Sequence, residues 1–168
     1  MVRVYVPATL AMLQQLVADG SVHPVGGTAF AVTPTLREAY AEGDDDELAE
    51  VALREAALAS LRLLDDQADA ALPPRRAVLE ADAADADVTL RADLDDAVVR
   101  LSGDIPLSTV IAAYVDNAAA EDAVRAAVAV IDEADLGDED AELTVGDAQD
   151  HDLAWYAPQE LPFLLDLL

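Results

Sequence analysis

Six residues stand out as groups that could hold a ligand: Arg3 and Tyr5 near the start, Arg37, and Trp155, Tyr156 and Glu160 near the end. Arginine beside aromatic rings is the common make-up of binding surfaces. The guanidinium forks onto carboxylate or phosphate, and the rings supply buried area. Arg3 and Tyr5 alternate with Val2, Val4 and Val6. A strand there would place both polar side chains on one face and the valines on the other. A pocket of Arg3, Tyr5, Arg37 and Trp155 would then recognise an anionic small molecule as a binder or an enzyme. The alternative is a packing and ion-pair cluster that draws the two ends of the chain together.

Other chemistries find little support. The chain has no cysteine, which excludes thiolate metal sites, iron–sulfur clusters and thiol catalysis. It has no lysine and hence no Walker loop, and neither GxGxxG nor GxSxG occurs. Ser21, Ser60, Ser102 and Ser108 form no recognisable triad with His23 or His151. The two histidines make no HxH or HxxxH pair and read as surface imidazoles. Around Gly137 an EF-hand register would need acids at Ala134, Leu136 and Leu143, so the match fails. No cofactor, no metal and no identifiable catalytic residue are expected.

Charge sets the partners. The formal net charge is −26, from 35 acids against 9 arginines. Such a surface repels nucleic acid and anionic lipid and attracts basic proteins. Solubility, a GC-rich genome or high-salt adaptation would produce the same excess without a partner. The charge is uneven: the first 37 residues carry Asp19 against Arg3 and Arg37, a net +1, which leaves −27 on the rest. The near-neutral start is therefore the region to search for a pocket or interface.

The positioning elements follow from periodicity. Residues 2–6 read as a strand, and Thr9 caps a helix carrying Leu10, Leu13 and Val17 that ends at Gly20. Residues 28–32 read as a second strand, giving a β-α-β start whose helix is short for a parallel crossover. Thr33-Pro34 opens a helix to about residue 42. Asp44 to Glu47 opens a longer one reaching about residue 71 before Pro73-Pro74. Strands follow at 77–81, 88–91 and 97–101, a helical turn at 107–110, a strand at 111–115, and a helix capped by Asn117. Residues 132–152 hold ten acids and no arginine, and read as a solvated, irregular segment. A short strand at 153–156 and a terminal helix from Pro158 complete the chain. The leucines of that helix must dock on the core and could also support a homo-oligomer.

The expected fold is α+β, a single domain over residues 1–168, with one mixed sheet and helices packed on it. An α/β sandwich and a ferredoxin-like duplication are the alternatives. No segment reads as a signal peptide or a membrane span, which points to the cytoplasm.

Three segments, VRVYVPATL, AVTPTLREAYAEGDDDELAEVAL and DLAWYAPQELP, together resemble a family of uncharacterised actinobacterial proteins of about this length. The resemblance implies a bacterial, GC-rich, cytoplasmic origin and carries no catalytic residue over. The leading functional expectation is a non-catalytic acidic interaction domain for a basic protein. A small-molecule pocket and a mimic of DNA are the alternatives.

Overall fold

The computed structural model describes residues 1–40, 42–65 and 71–168. Alternation at the start does make a strand, β1 (Val2–Ala8), with Val4, Val6 and Ala8 fully buried on one face. Thr9 accepts a hydrogen bond from the Met12 N–H at 3.2 Å and so caps α1 (Leu10–Asp19). The chain continues through β2 (Ser21–Val22), β3 (Thr28–Phe30), α2 (Pro34–Ala39) and α3 (Asp45–Asp65). Thr33 and Asp44 cap the latter two helices, on the N–H groups of Leu36 (3.0 Å) and Glu47 (2.9 Å). The predicted extension of α3 to residue 71 runs through residues outside the described set, as does residue 41 after α2.

The second half comprises β4 (Ala77–Ala83), β5 (Val88–Leu90), β6 (Val98–Leu101), β7 (Ile105–Pro106), β8 (Val110–Val115), α4 (Glu121–Asp135), α5 (Glu139–Gln149), β9 (Ala154–Tyr156) and α6 (Leu161–Asp166). Seven strands form one sheet in the order β5-β6-β3-β1-β4-β8-β9, and β2 pairs with β7 apart from it. The α+β class stands. The expected mixed sheet does not, because every pairing among the described residues is antiparallel. The β-α-β start therefore holds no parallel crossover. β3 returns as the antiparallel neighbour of β1, a return that ten helical residues can span. A ferredoxin-like unit is excluded too, since its returning strand would leave a place in the sheet for another.

The two sheet faces carry different cores. One packs Val4, Val6, Leu79, Ala81 and Val115 against Leu10, Leu13 and Leu16 of α1 and Leu161 and Leu164 of α6. The other packs Tyr5, Phe30, Val78 and Val98 against Leu36, Leu48, Ala52 and Ala56. The expected docking of the terminal helix is thus present on the first face. Beyond α3, Leu61 packs with Val124, Ala127 and Ile131 of α4 and Val145 and Ala148 of α5.

The segment at 132–152 departs from the irregular form expected of it. It is not irregular: α4 continues to Asp135, Gly137 turns the chain at φ 94°, and Asp138 caps α5. Ala141, Val145 and Ala148 fall on one helical face and are buried, while the acids take the outer face and the first turn. Acids in a first turn favour a helix through its dipole. Asn117 likewise departs from its assigned role, as it makes no side-chain capping bond.

Two buried polar contacts fix the sheet's registers. Ser60 of α3 donates to the Ala8 carbonyl at 2.7 Å and accepts from the Ala77 N–H at 3.0 Å, tying together the paired ends of β1 and β4. Arg76 and Asp116, 3% and 0% exposed, form a two-pronged ion pair. Nε donates to Oδ2 and Nη2 to Oδ1, both at 2.8 Å, and the Arg76 backbone N–H also donates to Oδ2. Arg76 Nη2 further donates to the His151 carbonyl at 2.7 Å, which holds the end of α5 to the sheet. Asp116→Ala would leave a buried guanidinium without its counter-ion and should cost about 3–5 kcal/mol, read from urea unfolding midpoints at constant m.

Candidate functional site

The sheet face that carries α3 also carries a polar row. On β1 it presents Arg3 and Tyr5; on β4, Val78, Glu80 and Asp82; on β8, Ala112 and Tyr114. Antiparallel register places Arg3 opposite Asp82 and Tyr5 opposite Glu80. A bulge at Glu80/Ala81 inserts Ile111 into β8 and leaves small Ala112 opposite Glu80.

These groups form one network. Arg3 donates from Nη1 to Glu80 Oε2 at 2.6 Å and from Nε to Asp82 Oδ1 at 2.8 Å. Tyr114 donates its hydroxyl to the other Glu80 oxygen, Oε1, at 2.8 Å. Glu80 is buried and spends both oxygens in these bonds. The bonds to Asp82, and then to Glu80, raise the Arg3 guanidinium above its ordinary pKa against the opposing effect of burial. Burial raises Tyr114 strongly, the Glu80 bond adds to it, and burial with the Glu80 charge raises Tyr5.

A cavity of about 570 Å³ opens over this network, lined by Arg3, Tyr5, Arg37, Asp45, Asp46, Glu80 and Tyr114 among others. It continues along the flank of α3 through a narrower space of about 190 Å³ bounded by Tyr5, Ala49, Glu50, Leu53 and Tyr114. A second lobe of about 340 Å³ follows, with Arg54, Arg76, Gln149 and His151 in its walls and Tyr114 shared with the first. The whole is a groove, walled by one stripe of α3 and floored by the sheet.

The structure gathers three of the six singled-out residues and separates the others. Arg3, Tyr5 and Arg37 share the first lobe, where Arg37 is ion-paired with Asp45. Trp155 does not line it: the residue sits on edge strand β9 opposite Tyr114, 58% exposed. Tyr156 falls on the other sheet face and packs against the α1/α6 core. Glu160 closes a local turn, accepting from the Ala157 N–H at 3.1 Å. The proposed closure of the chain ends through these residues is therefore absent; Arg3 is held by β4 instead.

The groove also contains Glu80, Tyr114 and Arg54, which no motif in the sequence singles out. Glu80 had a signal, a lone acid inside the apolar run 77–81. His23 lies elsewhere, exposed and 2.9 Å from Asp104. Among the described residues no three His, Asp or Glu side chains converge to hold a metal ion.

The chain belongs to a family of unknown function, DUF6912, whose model matches residues 2–165. No curated protein and no solved structure matches it.

Tyr114 yields a titration test. Its pKa is raised in the fold, so its contribution to stability is full below the ordinary value of 10.0 and is lost as pH rises above it. Wild type should lose stability above that pH more steeply than Tyr114→Phe. Tyrosinate absorbance should show late ionisation of both Tyr5 and Tyr114, and this variant should remove that of Tyr114. In Glu80→Gln its titration should move toward the ordinary value but stay above it, because burial is the larger cause. Unchanged titration in Glu80→Gln would deny the coupling.

Proposed function

We propose that this chain is a non-catalytic cytoplasmic interaction domain, one globular unit over residues 1–168, that receives a basic side chain of a partner protein in the groove beside α3. The observation that carries the reading is the internal neutralisation of the first lobe. Arg3 is matched by Glu80 and Asp82, and Arg37 by Asp45. An incoming carboxylate or phosphate would have to displace those partners, so the anion-binding role expected of these arginines is disfavoured. The surplus charge is acidic, because two carboxylates share Arg3 and Asp46 has no arginine partner among the described residues.

Tyr5 and Tyr114 supply ring surface beside that charge. A lysine or arginine head entering between them would meet carboxylate and aromatic faces together, which favours a cation. The net charge of −26 would speed the approach of a basic partner, with a rate that falls as salt rises. No helix among the described residues is long and apolar enough to cross a membrane.

A second reading has one observation in its favour. The first lobe alone has the volume of a small-molecule site. A free organic amine could use the same contacts, and agmatine is a suitable probe for it.

Anisotropy of a labelled Arg/Lys-rich nonapeptide, titrated from ~0.05 to ~0.5 M salt, tests the proposal. Affinity should fall with salt, and Asp46→Asn should weaken it about threefold. Glu142→Gln, on the exposed face of α5, should leave it nearly unchanged. Equal losses in the two variants would reduce the binding to overall charge and sink the groove as its seat. Agmatine binding that Asp46→Asn abolishes, with no peptide binding, would favour the small-molecule reading.

A further inference from the structure

Arginine is scarce in this chain and almost wholly spent. Seven of the nine, Arg3, Arg37, Arg62, Arg75, Arg76, Arg91 and Arg125, form ion pairs with carboxylates. Arg54 and Arg100 form none among the described residues, and Arg54 does so although Glu50 stands one turn before it on the same helix and lines the same lobe. With 35 acids in the chain, an arginine left unpaired in the wall of a cavity is the exception to explain.

The neighbours of Arg54 suit an anion. Gln149 brings an amide, His151 an imidazole, and Leu53 and Leu153 apolar walls. Arg76 also lines this lobe, but Asp116 already balances its charge. Among the described residues Arg54 is therefore the arginine of this lobe that no carboxylate pairs. Glu50 and Asp152 flank it. A carboxylate can thus enter only with Arg54 as its counter-ion, and a bidentate fork is the geometry the two groups favour.

Helix geometry sets the span. Asp46, Ala49, Glu50, Leu53, Arg54 and Ala57 recur at intervals of three and four and line the groove end to end. Asp46 marks the cation lobe and Arg54 the second lobe. Eight residues of α-helix separate them, about 12 Å along the axis. An extended peptide covers that distance in about four residues, and residues four apart on it point to the same side.

We propose that the second lobe is a carboxylate site built on Arg54. The groove as a whole then binds an extended peptide segment carrying a basic residue and a carboxylate about four positions apart. This deepens the cation-binding reading above and rests on it. The carboxylate can come from an acidic side chain or from a chain end, since the chemistry at Arg54 is the same.

The test is an NMR titration of the intact protein with short peptides. The probes are acetyl-Ala-Lys-Ala-Ala-Ala-Glu-Ala-amide, its Glu-to-Gln analogue, both in reversed order, and acetyl-Ala-Lys-Ala-Ala-Ala with a free C-terminus. The Glu peptide, in one of its two directions, should bind about fivefold tighter than its Gln analogue. Arg54→Gln should abolish that preference, and Asp46→Asn should weaken both peptides alike. Tighter binding of the free-terminus peptide than of the Gln peptide, lost in Arg54→Gln, would also support the site and identify a chain end as its source. Equal binding of the Glu, Gln and free-terminus peptides would overturn the carboxylate lobe while leaving the cation lobe in place. So would a preference that survives Arg54→Gln. Failure of every peptide to bind would overturn both.

Discussion

The buried pair of Arg76 and Asp116 is the constraint from which the rest of the architecture can be reasoned. Two charges out of water are costly, and the pair holds because both Asp116 oxygens and the Nε and Nη2 donors of Arg76 are bonded. Three bonds join Arg76 to Asp116, and a fourth reaches the His151 carbonyl. Arg76 directly precedes β4 and Asp116 directly follows β8. The pair therefore sets the β4–β8 register, and Ser60 sets β1 against β4. Side chains alternate along a strand, so fixing Arg76 also fixes the face of Glu80, as fixing Asp116 fixes that of Tyr114. The groove's floor follows from the clamp, and the His151 bond brings the end of α5 up as a wall.

Within the groove, electrostatics sort into two regimes. In the first lobe the arginines serve the structure. Arg3 holds Glu80 and Asp82 across a strand pair, and Tyr114 completes the coordination of Glu80. Such a network is rigid, because each member satisfies another and a half-made version would be costly. In the second lobe the structural arginine is buried, and the accessible one forms no ion pair among the described residues. The same residue type is thus divided between scaffold and surface along one helix flank.

Much of this arrangement was legible in the sequence, and the failures have physical causes. Arg3 and Tyr5 were assigned to the correct face because a period of two leaves no freedom once the valines are buried. The caps at Thr9, Thr33 and Asp44 were legible because capping is local chemistry. That Trp155 lies away from the first lobe is not legible there, because periodicity gives a residue's face and not its place in the strand order. It shares the sheet face of Tyr5, yet three strands away at the edge. Strand direction was hidden for the same reason. Glu80 and Tyr114 required the pairing of strands far apart in sequence, which no local pattern contains.

The acidic segment at 132–152 shows what the net charge does and does not imply. Charge density there masks the periodicity, yet burial of Ala141, Val145 and Ala148 on one face is enough to make a helix. Small side chains let α5 lie close on α4, and helix packing needs a stripe rather than an apolar majority. The acids then divide by task. Asp44 and Asp138 cap helices, Asp135 and Glu121 tie α4 to Arg62 and Arg75, and Asp116 and Glu80 hold the sheet. The remainder, such as Glu142, coat exposed helix faces. A total of −26 is therefore the sum of a structural set already matched by arginine or backbone N–H and a solvated set. Recognition at the groove depends on the few charges in its walls, while the coat governs the rate at which a basic partner arrives.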